Sequence, residues 1–181
     1  MSKYSTQFKL KVVTEYLRSG GYLRVTDVKQ FNVLDHKVYL SPVLDLYNQE
    51  IISYEIANRP QMKMVMQMLN KAFKKLKPKD KPMLYSDQGW HYRIAPYQQM
   101  LKQKGITQSM SRKGNCLDNA VMENWFGMMK TEFFYQEQFE SVQAFKTGLK
   151  EYIHYYNHDR IKQKLKGLSP VQYRTQSLLV T

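Results

Sequence analysis

The chain predicts a mixed α/β domain, a five-stranded sheet flanked by helices. Three observations carry that expectation. Short runs rich in Val, Ile, Leu and Tyr read as strands, and longer stretches repeat their apolar residues every three to four positions. The two kinds of segment are also interspersed along the chain rather than grouped.

Ser5 to Arg18 places Phe8, Val12, Val13, Tyr16 and Leu17 at helical spacing, with Ser5 or Thr6 to cap the helix and Gly20-Gly21 to stop it. Tyr22 to Phe31 reads as the first strand. If extended, it sets Leu23, Val25, Asp27, Lys29 and Phe31 on one face, so an acid interrupts a mostly apolar row. Lys37 to Leu46 and Ile51 to Ile56 are antiparallel strands joined across Tyr47-Asn48-Gln49-Glu50. Val65, Leu69, Ala72, Phe73 and Leu76 then recur at helical period from Met62 on, and the methionines between them are core filler.

After the charged connector Lys77 to Pro82, Met83-Leu84-Tyr85 is a short fourth strand that ends at Ser86-Asp87-Gln88-Gly89. A helix from Ala95 to Lys104 and a strand from Ile106 to Met110 follow, then the polar loop Ser111 to Cys116. Asp118 to Phe134 has the strongest helical pattern. Its apolar side holds Val121, Met122, Trp125, Phe126, Met129 and Phe133, and Asn119, Glu123, Gly127 and Lys130 line the other. A last helix starts at Ser141 and ends near Asn157. Three parts result: an N-terminal helix in 1–21, an α/β core in 22–157 and a basic extension in 158–181.

Composition narrows the function. In 181 residues, 28 Lys plus Arg against 15 Asp plus Glu leave a charge of +13, which favours polyanionic partners and nucleic acid above all. The single Cys116 excludes a disulfide framework or a Cys-rich zinc site. No apolar run approaches the roughly 18 residues of a membrane span, and the polar start has no signal-peptide core. The expectation is a cytoplasmic protein.

Against this basic background, acids at strand ends and beside apolar faces stand out: Asp27, Asp87 and Glu123. If the first and fourth strands are neighbours, the two aspartates converge and the long helix can bring Glu123 to them. Three close carboxylates raise one another's pKa unless a cation neutralises them. Oxygen-only ligands favour Mg²⁺ or Mn²⁺, and two such ions suit an in-line phosphoryl transfer. Taken singly, each acid also has an ordinary reading, as an edge-strand acid, a turn former and a solvated helix acid; their joint placement points to chemistry. His36, His91, His154 and His158 show no metal-ligand spacing, and no Gly-rich phosphate loop is present.

Asp87 and Glu123 enclose 35 residues. With Tyr85-Ser86-Asp87-Gln88-Gly89-Trp90-His91-Tyr92, Ser109 to Ala120 and Glu123-Asn124-Trp125-Phe126, the chain resembles the integrase core of bacterial insertion-sequence transposases, the OrfB product of the IS three family in particular. Thr26-Asp27-Val28 is similar to that family's first-acid motif. Lys130, seven residues past Glu123, is similar to its basic position. The resemblance runs from about Tyr22 to Tyr173 and includes Tyr155 to Arg160 and Leu168 to Tyr173.

The resemblance implies an RNase H-like fold and a DDE polynucleotidyl transferase in which Asp27, Asp87 and Glu123 hold two Mg²⁺ (or Mn²⁺). It implies cleavage and strand transfer of DNA, with water and then a DNA 3′-hydroxyl as nucleophile, on element ends and target. A homo-oligomer on DNA at the bacterial nucleoid is implied as well. It implies that Lys130 contacts the terminal DNA phosphates or bases; Arg112 and Lys113, in the loop before the helix, are expected phosphate contacts, and Asp118 and Asn119 are expected to cap and orient the Glu123 helix, Asn119 standing among the expected DNA-contacting residues. Tyr4 to Val13 resembles instead the opening helix of the companion OrfA protein. The expectation is an internally deleted fusion without a recognition helix, for which a non-catalytic DNA-binding inhibitor or a relic is the alternative reading.

Overall fold

The computed structural model describes residues 22–25, 28–77, 80–110 and 116–179, with the backbone alone at 116–119 and 177–179. The expected N-terminal helix, Asp27, Arg112 and Lys113 lie outside the described residues.

Among the described residues six strands form the sheet: β1 (Tyr22–Val25), β2 (Lys29–Val33), β3 (His36–Asp45), β4 (Ile51–Ala57), β5 (Met83–Ser86) and β6 (Thr107–Met110). The helices are α1 (Met62–Phe73), α2 (Ala95–Gln103), α3 (Cys116–Met129), α4 (Val142–His158) and α5 (Pro170–Leu179). The order across the sheet is β2-β3-β1-β5-β6, with β4 on the other side of β3. β1 runs antiparallel to β3 and parallel to β5, and β5 parallel to β6, so the sheet is mixed as expected.

The sixth strand arises because the expected first strand is two. β1 and β2 both pair with β3, through Val25↔Val43 and Lys29↔Leu40. Between those pairs the first segment has three residues, 26–28, and β3 has only two, Ser41 and Pro42. One residue in excess reverses the alternation of side chains. Leu23 and Val25 therefore join one core, and Phe31 and Val33 join the other on the opposite face. The expected single row from Leu23 to Phe31 does not exist. Pro42, which has no N–H to give to a ladder, is one of those two β3 residues.

One face of the sheet is covered by α1 and α2. There Leu23, Val25, Val43 and Leu84 meet Val65, Met68, Leu69 and Phe73 of α1 and Tyr97 and Leu101 of α2. Met68 is fully buried; its Sδ accepts a hydrogen bond from the Ser41 hydroxyl (3.0 Å) and its carbonyl one from Ser53 (2.9 Å). The other face is covered by α3 and α4, where Trp125, Phe126, Phe145, Leu149 and Tyr156 pack over Phe31, Val38, Leu40 and Leu44.

The helix expected over 118–134 ends at Met129 and continues as a π turn, Lys130–Phe134. The basic extension is folded: a bridge joins Lys162 to Leu168 around the short turn Gln163–Leu165, and α5 follows. α5 docks on the β3–β4 connection, where Asn48 Nδ2 donates to Pro170 O (3.3 Å) and Arg174 Nε to Glu50 Oε2 (2.8 Å). Among the described residues no helix is long and apolar enough to cross a membrane.

Candidate active site

Parallel pairing of β1 with β5, through Tyr22↔Met83, Leu23↔Leu84 and Arg24↔Tyr85, sets the carboxyl ends of the two strands side by side. Asp87 follows Tyr85 by two residues and Asp27 follows Arg24 by three. The strand adjacency that the two aspartates required is therefore present, although Asp27 itself lies outside the described residues.

Asp87 is half-buried at the end of β5, and its Oδ1 accepts a hydrogen bond from Gly89 N (2.9 Å), which turns the chain away from the sheet. Two further bonds fix the segment. Gln108 Nε2, from β6, donates to Ser86 Oγ (3.0 Å) and to Tyr92 O (3.1 Å). Beneath it, the Tyr97 phenol is pushed well above its ordinary pKa, first by burial and then by the negative charge of Asp87. It stays protonated and adds no second negative charge near the acid.

Glu123 is exposed on α3, opposite the buried side formed by Met122, Trp125, Phe126 and Met129. Lys130, half-buried, opens the π turn seven residues on, two helical turns along the same side. The turn is anchored through Glu132. Arg160 reaches its carboxylate with Nε (2.8 Å to Oε2) and a terminal nitrogen (2.5 Å to Oε1), and the Tyr152 hydroxyl donates to Oε2 (3.0 Å). The Arg160 guanidinium holds the Glu132 carboxyl below its usual range. Asn119 lies early in α3, with its side chain outside those described.

Among the described residues no three His, Cys, Asp or Glu side chains form a group able to hold a metal ion. Asp87 and Glu123 supply carboxylate oxygens, the hard donors that suit Mg²⁺ or Mn²⁺. Sequence reasoning passed over Tyr97 and Arg24. Arg24 is fully buried in β1 beside the strand end; alternating with Leu23 and Val25, it reads as a solvent-facing residue unless the second face is known to be covered.

The chain matches two family models, both described as integrase core domain, over residues 19–116 and 123–178. It is 56% identical over 155 residues to InsK of Escherichia coli, named as a transposase for insertion sequence element IS150, covering 86% of this chain and 55% of InsK. A transposase-like protein of Haemophilus influenzae is 52% identical over 153 residues, 84% of this chain and 70% of that protein. The chain thus spans about half the length of InsK and a larger part of the second relative. Among solved structures, the HTLV-2 integrase catalytic core domain, in complex with magnesium and in trimeric form, superposes with a TM-score of 0.68 at 12% identity, over 87% of this chain and 97% of that one. That likeness shows the fold, which is the RNase H-like one the sequence implied. With the strand order, the matched residues and the identity to insertion-sequence proteins in agreement, the chain belongs to the integrase core domain family, in its branch of insertion-sequence transposases.

Proposed function

We propose that the chain is a metal-dependent polynucleotidyl transferase that cuts DNA at the ends of an insertion sequence and joins them to target DNA. The observation that carries the reading is the parallel β1–β5 pairing, which gives Asp27 and Asp87 adjacent strand ends as origins. The relatives' names and the HTLV-2 core's magnesium support it.

In this reading Asp27, Asp87 and Glu123 hold two Mg²⁺ (or Mn²⁺). Such ions, when bound, stabilise the charge that develops on the attacking and leaving oxygens of a phosphodiester. The remaining work falls to the chain. Lys130 sets an ammonium beside the terminal phosphate on the Glu123 side of α3, Arg112 and Lys113 hold the backbone further along, and Asn119 orients the start of the helix. Gly89 N fixes the rotamer of Asp87, and the Glu132–Arg160 pair keeps the end of α3 in place. Several copies assemble on DNA at the nucleoid, so that two ends are joined together.

The test is direct. The purified chain with Mn²⁺ or Mg²⁺ nicks duplexes that carry insertion-sequence ends and joins them to plasmid DNA, and Glu123→Gln abolishes both activities. Equal activity of wild type and variant refutes the assignment. Calorimetric titration of Mn²⁺ into wild type and Asp27→Asn tests the first acid separately: unchanged binding removes it from the ligand set.

A further inference from the structure

β4 is an edge strand, paired among the described strands with β3 alone, and a cavity of about 610 Å³ runs along its free side between the ends of α1 and α4. Its formally charged side chains are all lysines, and two histidines stand beside them. Lys71, Lys74 and Lys75 come from the last turn of α1 and just beyond, and Lys150, His154 and His158 come from α4. The second set recurs every four residues and forms one stripe; the His154 and His158 rings stack with centroids 4.4 Å apart. All six side chains belong to exposed residues.

Among the described residues little neutralises them. Lys71 pairs with Glu55 (2.5 Å), and Lys75 Nζ donates to the carbonyl of Ile52. The Lys74 and Lys150 ammonium groups make no hydrogen bond or ion pair within the described residues. Two helix carboxyl ends contribute about one negative charge between them, too little to offset four lysines. Like charges held in a concave site focus a positive field outward.

We propose that this groove is a second DNA-backbone site, one that holds phosphates of duplex outside the reacting ends; it rests on the DNA reading above. It is separate from the candidate active site, because β3 and β1 intervene between β4 and the strand that ends at Asp87. Lysine ammonium groups on two facing walls suit the phosphates of a strand laid along the groove. The competing occupant is a second copy of this chain. Its acidic groove, about 930 Å³ and lined by Glu132, Glu137, Glu140 and Glu151, has the opposite charge. The net charge of +13 favours DNA, since two copies repel each other as wholes while a polyanion is attracted.

The test uses the full chain and a fluorescent duplex of about 30 base pairs without insertion-sequence ends, long enough to span several phosphate contacts. Anisotropy is measured against salt for wild type, Lys74→Gln/Lys150→Gln and a charge-matched control on α2 and its end, Lys102→Gln/Lys104→Gln. Each lost phosphate contact removes about 0.9 from the slope of log affinity against log salt, so the groove variant falls by about 1.8 and loses affinity several tens-fold near 0.1 M salt. The control changes far less. A groove variant that binds like wild type, or no worse than the control, overturns the inference while leaving the catalytic reading in place. Unchanged DNA binding with loss of self-association in sedimentation overturns it in favour of the second copy. A wild-type chain that binds no duplex even at low salt removes the DNA reading itself.

Discussion

Asn157→Ala should lower the unfolding free energy by about 2–4 kcal/mol, although the residue touches no candidate catalytic group. Asn157 is buried in the last turn of α4 and acts as a substitute strand. Its Oδ1 accepts a hydrogen bond from Ile51 N (2.9 Å), and its Nδ2 donates to Ile51 O (3.0 Å). Truncation leaves a buried backbone donor and a buried acceptor without partners, at about 1–3 kcal/mol each, less what water entering from the adjoining groove restores. For a chain of this size the melting temperature should fall by roughly 5–15 °C. Urea unfolding followed by tryptophan fluorescence measures the difference. Asn157→Asp separates hydrogen bonding from volume: it keeps the acceptor, loses the donor and sets a negative charge against a carbonyl, so above the carboxylate range it should be at least as unstable as the Ala variant. A cost below about 1 kcal/mol for Asn157→Ala would show that the pair of bonds does not hold β4 to α4.

Three further outcomes are expected. In Gly148→Ala the new Cβ would stand 2.9 Å from Cε2 of Phe133, whose ring stacks on Phe145 and Tyr152; overpacking of about 1–3 kcal/mol should outweigh the roughly 1 kcal/mol that Ala gains in a helix, and a higher melting temperature would contradict this. Burial lowers the Lys162 pKa to about 8 from 10.5, so between those values the unfolded chain binds a proton that the folded chain lacks and stability rises with pH; wild type should gain about 3 kcal/mol on Lys162→Met across that window, and a difference that stays constant in urea titrations at its two ends refutes the assignment. The Glu132 carboxyl is held low by Arg160, so its contribution is present above the ordinary carboxylate pKa and lost as pH falls through the lowered value; Arg160→Ala should move the acid unfolding midpoint to higher pH, which an acid titration by circular dichroism detects.

The alternation of apolar residues located the described strands and helices closely, because both periods are set by burial of one face. It could not reveal the break in the first strand. Leu23, Val25, Phe31 and Val33 keep a period of two across the junction, and only the face they occupy changes. With helices on both faces, an apolar side chain is satisfied on either, so the pattern stays silent. The tight turn between β2 and β3 was hidden for another reason: Leu34 and Asp35 take positive φ angles, 47° and 62°, with no Asn-Gly to announce them. Asp87 stands at the strand end and Glu123 on the polar side of its helix, where turn chemistry and helical periodicity placed them. The cationic groove was illegible because its walls come from residues 71–75 and 150–158, which only the sheet edge brings together.

The break between β1 and β2 links the fold to the site. An acid at the carboxyl end of a strand needs that strand to stop, yet the same edge of β3 carries β2 further along, so pairing must be interrupted in mid-edge. Between the pairs on either side the first segment has three residues, 26–28, and β3 has two, Ser41 and Pro42. The one in excess sends Leu23 and Val25 into the α1–α2 core and Phe31 and Val33 into the α3–α4 core. Both cores therefore fix the register on the two sides of the segment that contains Asp27. A slip by one residue on either side would turn an apolar pair toward the wrong core. Hydrophobic burial thus fixes the chain on both sides of that segment, while Asp87 is set locally by its bond to Gly89 N and Glu123 by the buried side of α3.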